Sequence, residues 1–274
     1  MIAVFGDSFA KTFSLFKDSR VKVYSFKGAT MKGLAKRNEN RKKIESILKN
    51  NRHVQCAIFI FGQVDLNLSY YYDLVGASQR GEVAFNSQYS QFISAYVDWV
   101  NYIPGKFKRI ICAPFPSPLD QTYTLCSLVN YGSVGEDQLR AEINKLTDHS
   151  TDIDRKTRYF EFIYALKLKV HKSKKITNIE YIEFNNHVLG PNLDVLDKYM
   201  TPNKFSFHLQ WGPLITPIIN ELNAIGVRLD NSDIVDDMAD VESKYLNQKT
   251  IAAAENDKKY AQLYMDVSQK LNAN

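Results

Sequence analysis

Five short apolar runs, at residues 1–5, 21–26, 54–61, 107–113 and 178–184, constrain this chain more than any other feature. Each is rich in Val, Ile, Phe and Tyr and has the length of a strand, too short for a helix. Longer amphipathic segments lie between and after them. Over 82–102, Tyr89, Phe92, Ile93, Tyr96, Val97 and Val100 recur at the spacing of one helix face. Residues 138–146, 151–170 and 212–225 also read as helices. Strands separated by helices imply right-handed parallel βαβ units. The expectation is an α/β fold: a three-layer α/β/α sandwich around a five-stranded parallel sheet, flavodoxin-like, with a C-terminal helical extension.

At 274 residues the chain allows one large domain or two small ones. Its 45% hydrophobic and 24% charged residues match a globular protein and exclude disorder or a collagen-like repeat. A chain of this length buries a core without disulfides or structural metal. After Gly226 the pattern changes: residues 228–274 carry six Lys and Arg against nine Asp and Glu, a net of −3. Tyr260, Leu263, Tyr264, Val267 and Leu271 form a helical stripe there. The expected organisation is a domain over 1–227 and an extension over 228–274. That stripe either packs back on the core or meets a partner, including a second copy of the chain.

The net charge of +5 hides +8 on residues 1–227. Both signs are interspersed, which argues against nucleic acid. The basic stretches at 36–43 and 167–175 read as part of a solvated mixed surface, with attraction of anionic glycans, lipids or nucleic acid as the alternative. Cys56, Cys112 and Cys126 are an odd number without C-x-x-C spacing, against a disulfide framework or a zinc site. The sequence opens with an apolar run and no leader-like n-region, and no 18-residue apolar stretch occurs. A cytoplasmic, reduced protein is expected.

In open parallel sheets ligands bind beyond the carboxyl ends of the strands, so the residues after each run are the candidates for chemistry. The first run ends in Gly6-Asp7-Ser8. A serine on a strand-to-helix turn offers an exposed hydroxyl beside unpaired N–H donors, though it also serves as an ordinary helix cap. The second run is followed by Gly28, either an oxyanion N–H donor or a turn residue. After the third come Gly62-Gln63-Val64-Asp65-Leu66-Asn67 and Tyr70-Tyr71-Tyr72. The tyrosines either line a groove for sugar rings or pack beneath a loop. Phe115-Pro116-Ser117-Pro118 follows the fourth run as a rigid loop. Of five histidines, His208 alone stands at a helix entrance on this rim; His53, His149 and His171 read as surface residues, and His187 lies in a polar loop.

In order and spacing these blocks resemble the SGNH, or GDSL-type, hydrolase family over about residues 1–227. Gly6-Asp7-Ser8 matches its first block and Gly28 its second. Gly62 and Asp65 match the ends of its Gly-x-Asn-Asp block, and His208 the His of its Asp-x-x-His block. The Phe-Gly-x-Val-Asp variant is similar to a branch associated with carbohydrate-modifying genes. The resemblance implies Ser8 as nucleophile and His208 as base, with oxyanion donors from the Ser8 and Gly28 backbone and no metal or organic cofactor. Two departures stand out. Val64 replaces the oxyanion Asn, so Gln63 or Asn67 is expected to supply the amide. Phe205 replaces the Asp that orients the imidazole, leaving Asn203, Asp194 or Asp197 for that role, or a Ser-His dyad. Asp7 and Asp65 are expected to brace the site. The implied activity is hydrolysis of a small acyl ester, such as O-acetyl on a carbohydrate. The alternatives are a lipid acyl esterase or thioesterase, and a catalytically impaired binding or structural module of the same fold.

Overall fold

All five apolar runs form strands in the computed structural model, which describes residues 1–17, 20–80, 88–174, 178–235 and 238–272. Strand β1 (Ile2–Gly6) leads through a 3-10 turn, Ser8–Leu15, into β2 (Val21–Ser25). Helices α1 (Met31–Ala35) and α2 (Glu39–Asn50) precede β3 (Cys56–Ile60). A π-helical turn, Asp65–Ser69, then α3 (Tyr70–Arg80) and α4 (Gln88–Tyr102), precede β4 (Lys108–Cys112). Next come α5 (Gln121–Asn130), α6 (Glu136–Ala141), α7 (Ile143–Asp148), α8 (Asp152–Lys174) and β5 (Ile179–Ile182). The short α9 (Asn185–Val188), α10 (Ile215–Ala224) and α11 (Met238–Asn272) complete the chain.

The sheet runs β2-β1-β3-β4-β5 with every pair parallel. It is buried on both faces, which is why its central strands read as unbroken apolar runs. Along β3, Cys56, Ile58 and Ile60 face one core cluster with the 3-10 turn and α10. Ala57 and Phe59 face the other, with α4, α8 and α11. The strand order reverses direction between β1 and β3, the topological switch point where such sheets bind ligands. Gly6 is required there: a Cβ at this position would stand 2.5 Å from Ile60 Cγ2 and 2.7 Å from Ala10 Cβ.

The helices differ from expectation in detail. The segment expected over 82–102 is helical from Gln88; residues 82–87 lie outside the described residues. The single helix expected over 138–146 is two, α6 and α7, because Glu142 leaves helical geometry (φ −103°, ψ 15°). The break lets both Leu139 and Leu146 reach the core. Gly212–Leu214 forms a 3-10 turn with Pro213 inside it before α10 begins. The C-terminal stripe folds inward: Tyr260, Leu263 and Val267 are buried in the larger core cluster. Tyr264 packs on Tyr123 of α5, ring centroids 4.9 Å apart, and Asp266 pairs with Arg140 of α6. Those buried side chains are therefore committed within the chain rather than offered to a partner. Cys56, Cys112 and Cys126 are buried and free. Among the described residues no helix is long and apolar enough to cross a membrane.

Candidate active site

The site is built where β1 stops. Asp7 caps the 3-10 turn, its Oδ1 accepting the Phe9 N–H at 2.9 Å. Ser8 is thereby the first residue of the turn, half-buried, with its N–H among the donors that a helix start leaves without an intrahelical acceptor. His208 arrives from the irregular segment before α10, and its Nε2 lies 2.8 Å from Ser8 Oγ. The imidazole lies on the Phe9 ring, centroids 4.2 Å apart and planes 14° from parallel. On its other side Nδ1 is 3.2 Å from Ser206 Oγ and 3.5 Å from the Tyr131 hydroxyl. Ser206 Oγ also accepts the His208 N–H at 3.2 Å. For Nε2 to accept the Ser8 proton, Nδ1 must carry hydrogen and donate it, and a hydroxyl at 3.2 Å is a suitable acceptor. Ser206 can thus fix the tautomer without bringing the negative charge that a carboxylate would.

The residues expected to orient the imidazole do something else. Asn203 is buried, and its Oδ1 accepts the Phe205 N–H at 3.0 Å and an Asn256 amide hydrogen at 3.4 Å. These bonds shape the loop. Asp194 pairs with Lys156 at 2.7 Å, and Asp197 opens a separate 3-10 turn. Phe205, standing where the resemblance expects an Asp, is 1% exposed and packs between Tyr123 and Tyr260. Ser206 was not legible as the partner, although one signal existed. In an extended segment residues i and i+2 share a side, and Ser206 stands two before His208.

Beneath the site lie two carboxyls. Asp65 holds the start of α1, accepting the Met31 N–H at 2.7 Å and the Lys32 N–H at 3.1 Å. Burial pushes its pKa up to about 6 against these hydrogen bonds. Burial also raises Asp7, to about 7; the Phe9 N–H opposes this and nearby Asp65 adds to it. Both residues brace the local backbone. Gly62 adopts φ +111°, and a Cβ there would meet the Phe162 ring at 3.0 Å. Gln63 is 2% exposed, and among the described residues neither atom of its amide has a hydrogen-bond partner. The chain then enters the π-helical turn Asp65–Ser69, a distortion often found at functional sites. Asn67 lies in that turn and faces a neighbouring cavity. Gly28 sits at φ +72° in an exposed turn closed by the Ala29 N–H to Phe26 carbonyl bond. Its glycine is explained by that conformation alone.

The tyrosine triplet does not form one sugar-stacking face. Tyr70 and Tyr71 are 5% and 1% exposed. Arg158 lies over the Tyr70 ring at 3.8 Å and bonds the Tyr71 hydroxyl at 2.9 Å. Helical geometry is the cause: three consecutive side chains fan around α3, so only Tyr72, 64% exposed, meets solvent. The other histidines are engaged or peripheral. His187 Nε2 lies 2.8 Å from Glu221, His149 Nδ1 lies 3.4 Å from the Tyr70 hydroxyl, and His53 and His171 are exposed.

No protein-family model matches the sequence, and no curated protein does. Solved structures do resemble it. An M. smegmatis aryl esterase in inhibitor-bound form is 10% identical over 83% of this chain and 99% of its own, with a TM-score of 0.48. A carbohydrate acetylesterase from Sinorhizobium meliloti is 12% identical over 71% and 88%, with a TM-score of 0.39. At such identities the likeness is one of architecture, and the chemistry must be read from the residues at the site.

Proposed function

We propose that the protein is a serine ester hydrolase that removes a small acyl group, such as acetyl, from a carbohydrate. The observation that carries the reading is the 2.8 Å approach of His208 Nε2 to Ser8 Oγ at the sheet's switch point. Nε2 takes the hydroxyl proton as Ser8 Oγ attacks the ester carbonyl. The tetrahedral oxyanion is held by the Ser8 N–H and by a second donor, for which the Gln63 amide, without a hydrogen-bond partner among the described residues, is the candidate. Nε2–H then protonates the leaving alcohol and the acyl-enzyme forms. Water, deprotonated by the same nitrogen, releases the acid and regenerates Ser8. Through both steps the hydrogen stays on Nδ1, donated to Ser206 Oγ, and Phe9 holds the ring plane.

The alcohol is read from the rim. The cavity beside the β4 carboxyl end has a volume of about 190 Å³. Asn67, Ser117, Tyr159 and paired charged groups share its wall with Leu66, Leu119, Leu189, Val195 and Met200, a mixed lining that fits the polar edge and apolar faces of a sugar ring. The test uses 4-nitrophenyl acetate and a fluorophosphonate probe. Wild-type protein is expected to hydrolyse the ester and take up the probe, and Ser8→Ala to lose at least about a thousandfold in rate and all labelling. Equal hydrolysis by Ser8→Ala would refute the assignment.

A further inference from the structure

Helix α8 carries apolar side chains on both of its faces. Tyr159, Phe162, Ile163, Leu166 and Val170 are buried in the core. On the opposite side Ile153, Phe160, Tyr164 and Leu168 follow one another at spacings of 7, 4 and 4 residues, close to whole turns, and so form one outward row. Ile153 is 77% exposed, Tyr164 63% and Leu168 40%, and Phe160 is half-buried. The row widens at its start. Lys156 bonds the Asn192 carbonyl at 3.1 Å and Asp194 at 2.7 Å, tying the loop of the exposed Leu193 alongside. Exposed apolar side chains are ordinary when scattered, whereas a contiguous row along one helix marks a contact surface. Its two flanks differ. Lys156, Lys167 and Lys174 line one flank, and each has a carboxylate within the chain: Asp194, Glu183 and Glu180. Asp154, Glu161 and Lys172, again near whole turns apart, line the other. Among the described residues none of these three has an opposite charge within ion-pair distance.

We propose that the outward face of α8 is a homodimer interface, in which two copies of the chain pair their α8 helices antiparallel across a two-fold axis. The charges select this occupant. In a two-fold contact residue i meets residue j and j meets i, and the same flank of each helix comes together. Asp154 of each copy then lies beside Lys172 of the other. The axis stands midway between them, at the level of Ile163, the middle residue of α8. That level also falls between Phe160 and Tyr164 in the apolar row, so the charges and the row call for one register. The lysine flank meets its own copy without strong repulsion, because its charges are already paired within each chain. An anionic membrane surface would attract Lys172 but repel Asp154 and Glu161, and a parallel pairing would leave Lys172 far from any acid of this flank. A helix of 23 residues is about 35 Å long. One such pair lies at the small end of specific interfaces, so the dimer is reversible and of micromolar strength. It forms whether or not Ser8 is a nucleophile.

Sedimentation equilibrium of the full-length protein from about 1 to 200 µM tests this. The wild type is expected to pass from a 31.5 kDa monomer to twice that mass, with a dissociation constant of about 1–100 µM. Tyr164→Asp changes an exposed side chain and is expected to weaken the dimer by about tenfold or more. Asp154→Lys and Lys172→Asp each place like charges together at both ends of the helix pair, and each is expected to weaken association by a similar factor. Asp154 also accepts the Thr151 hydroxyl at the start of α8, so a mixture supplies the control. When the two charge variants are combined in equal amounts, each offers the charge the other lacks, and association should return to within about threefold of the wild type. Neither a lost helix cap nor a damaged fold produces such recovery. A monomer at every concentration, a dimer indifferent to Tyr164→Asp, or no recovery in the mixture each overturns the interface. A chain that stays monomeric and sediments with phosphatidylserine vesicles would make this face a membrane contact instead.

Discussion

A primary amide sealed from solvent with neither polar atom hydrogen-bonded costs a fold about 1–3 kcal/mol, and Gln63 is such a residue. It neighbours Val64, a hydrocarbon where the family resemblance expects an amide donor. A side chain buried against its own desolvation, one residue from a missing donor and just beyond the carboxyl end of β3, the strand beside β1, is best explained by work done when substrate is bound. That argument has a distinctive signature, because stability and turnover should move in opposite directions. Gln63→Leu keeps the volume and removes the orphaned atoms, so it should be neutral or stabilising in urea denaturation. In aryl ester hydrolysis it should lose about 10²–10³ in kcat, the usual cost of one oxyanion donor. A variant that loses stability and keeps its turnover would make Gln63 a structural residue only. Ser206 carries a parallel lesson, since a hydroxyl can hold the imidazole's orientation where no carboxylate is present.

At the scale of elements, α11 supports the segment that presents His208. Tyr260 packs on Phe205 with centroids 5.5 Å apart, and Asn256 reaches Asn203 at 3.4 Å. Tyr260→Ala empties a buried aromatic position and should cost about 3–5 kcal/mol in chemical denaturation. A cost under about 1 kcal/mol would mean that the helix is not docked. The inward packing of α11 was half visible beforehand: its stripe predicts a buried face without saying whose surface it meets. Strands were the most legible elements, because both-face burial writes an uninterrupted apolar run into β1 and β3. Helix α2 was not legible, since only Ile44 and Leu48 are buried among its charged residues. The Gly6-Asp7-Ser8 turn and His208 could be read from their places after a strand and before a helix. Their neighbours could not. Ser206 meets His208 only through the local course of an irregular segment, and Tyr131 only through tertiary packing.

For the molecule as a whole, the formal charge of +5 at pH 7 counts every carboxyl as ionised, and two buried ones resist that. Asp7 is raised from 3.8 to about 7 and Asp65 to about 6, in both cases first by burial. The unfolded chain releases these protons near pH 4, whereas the native state keeps them for two to three pH units more. Their stabilising contribution is therefore complete below about pH 4 and is lost as pH rises through the native values. While a proton is retained only by the native state, stability falls by about 1.4 kcal/mol per pH unit. Exposed carboxylates with lowered values, Glu39, Asp230 and Asp266, act in the opposite sense, but below pH 4. The expected result is a melting temperature that declines from pH 5 to pH 8. Asp7→Asn isolates one contributor, because an amide oxygen can still accept the Phe9 N–H while no proton is left to lose. Its melting curve against pH should be flatter than that of the wild type, with the gain largest above pH 7. Parallel curves for the two proteins across this range would show that Asp7 titrates like an ordinary carboxyl, and that water reaches the floor of the site.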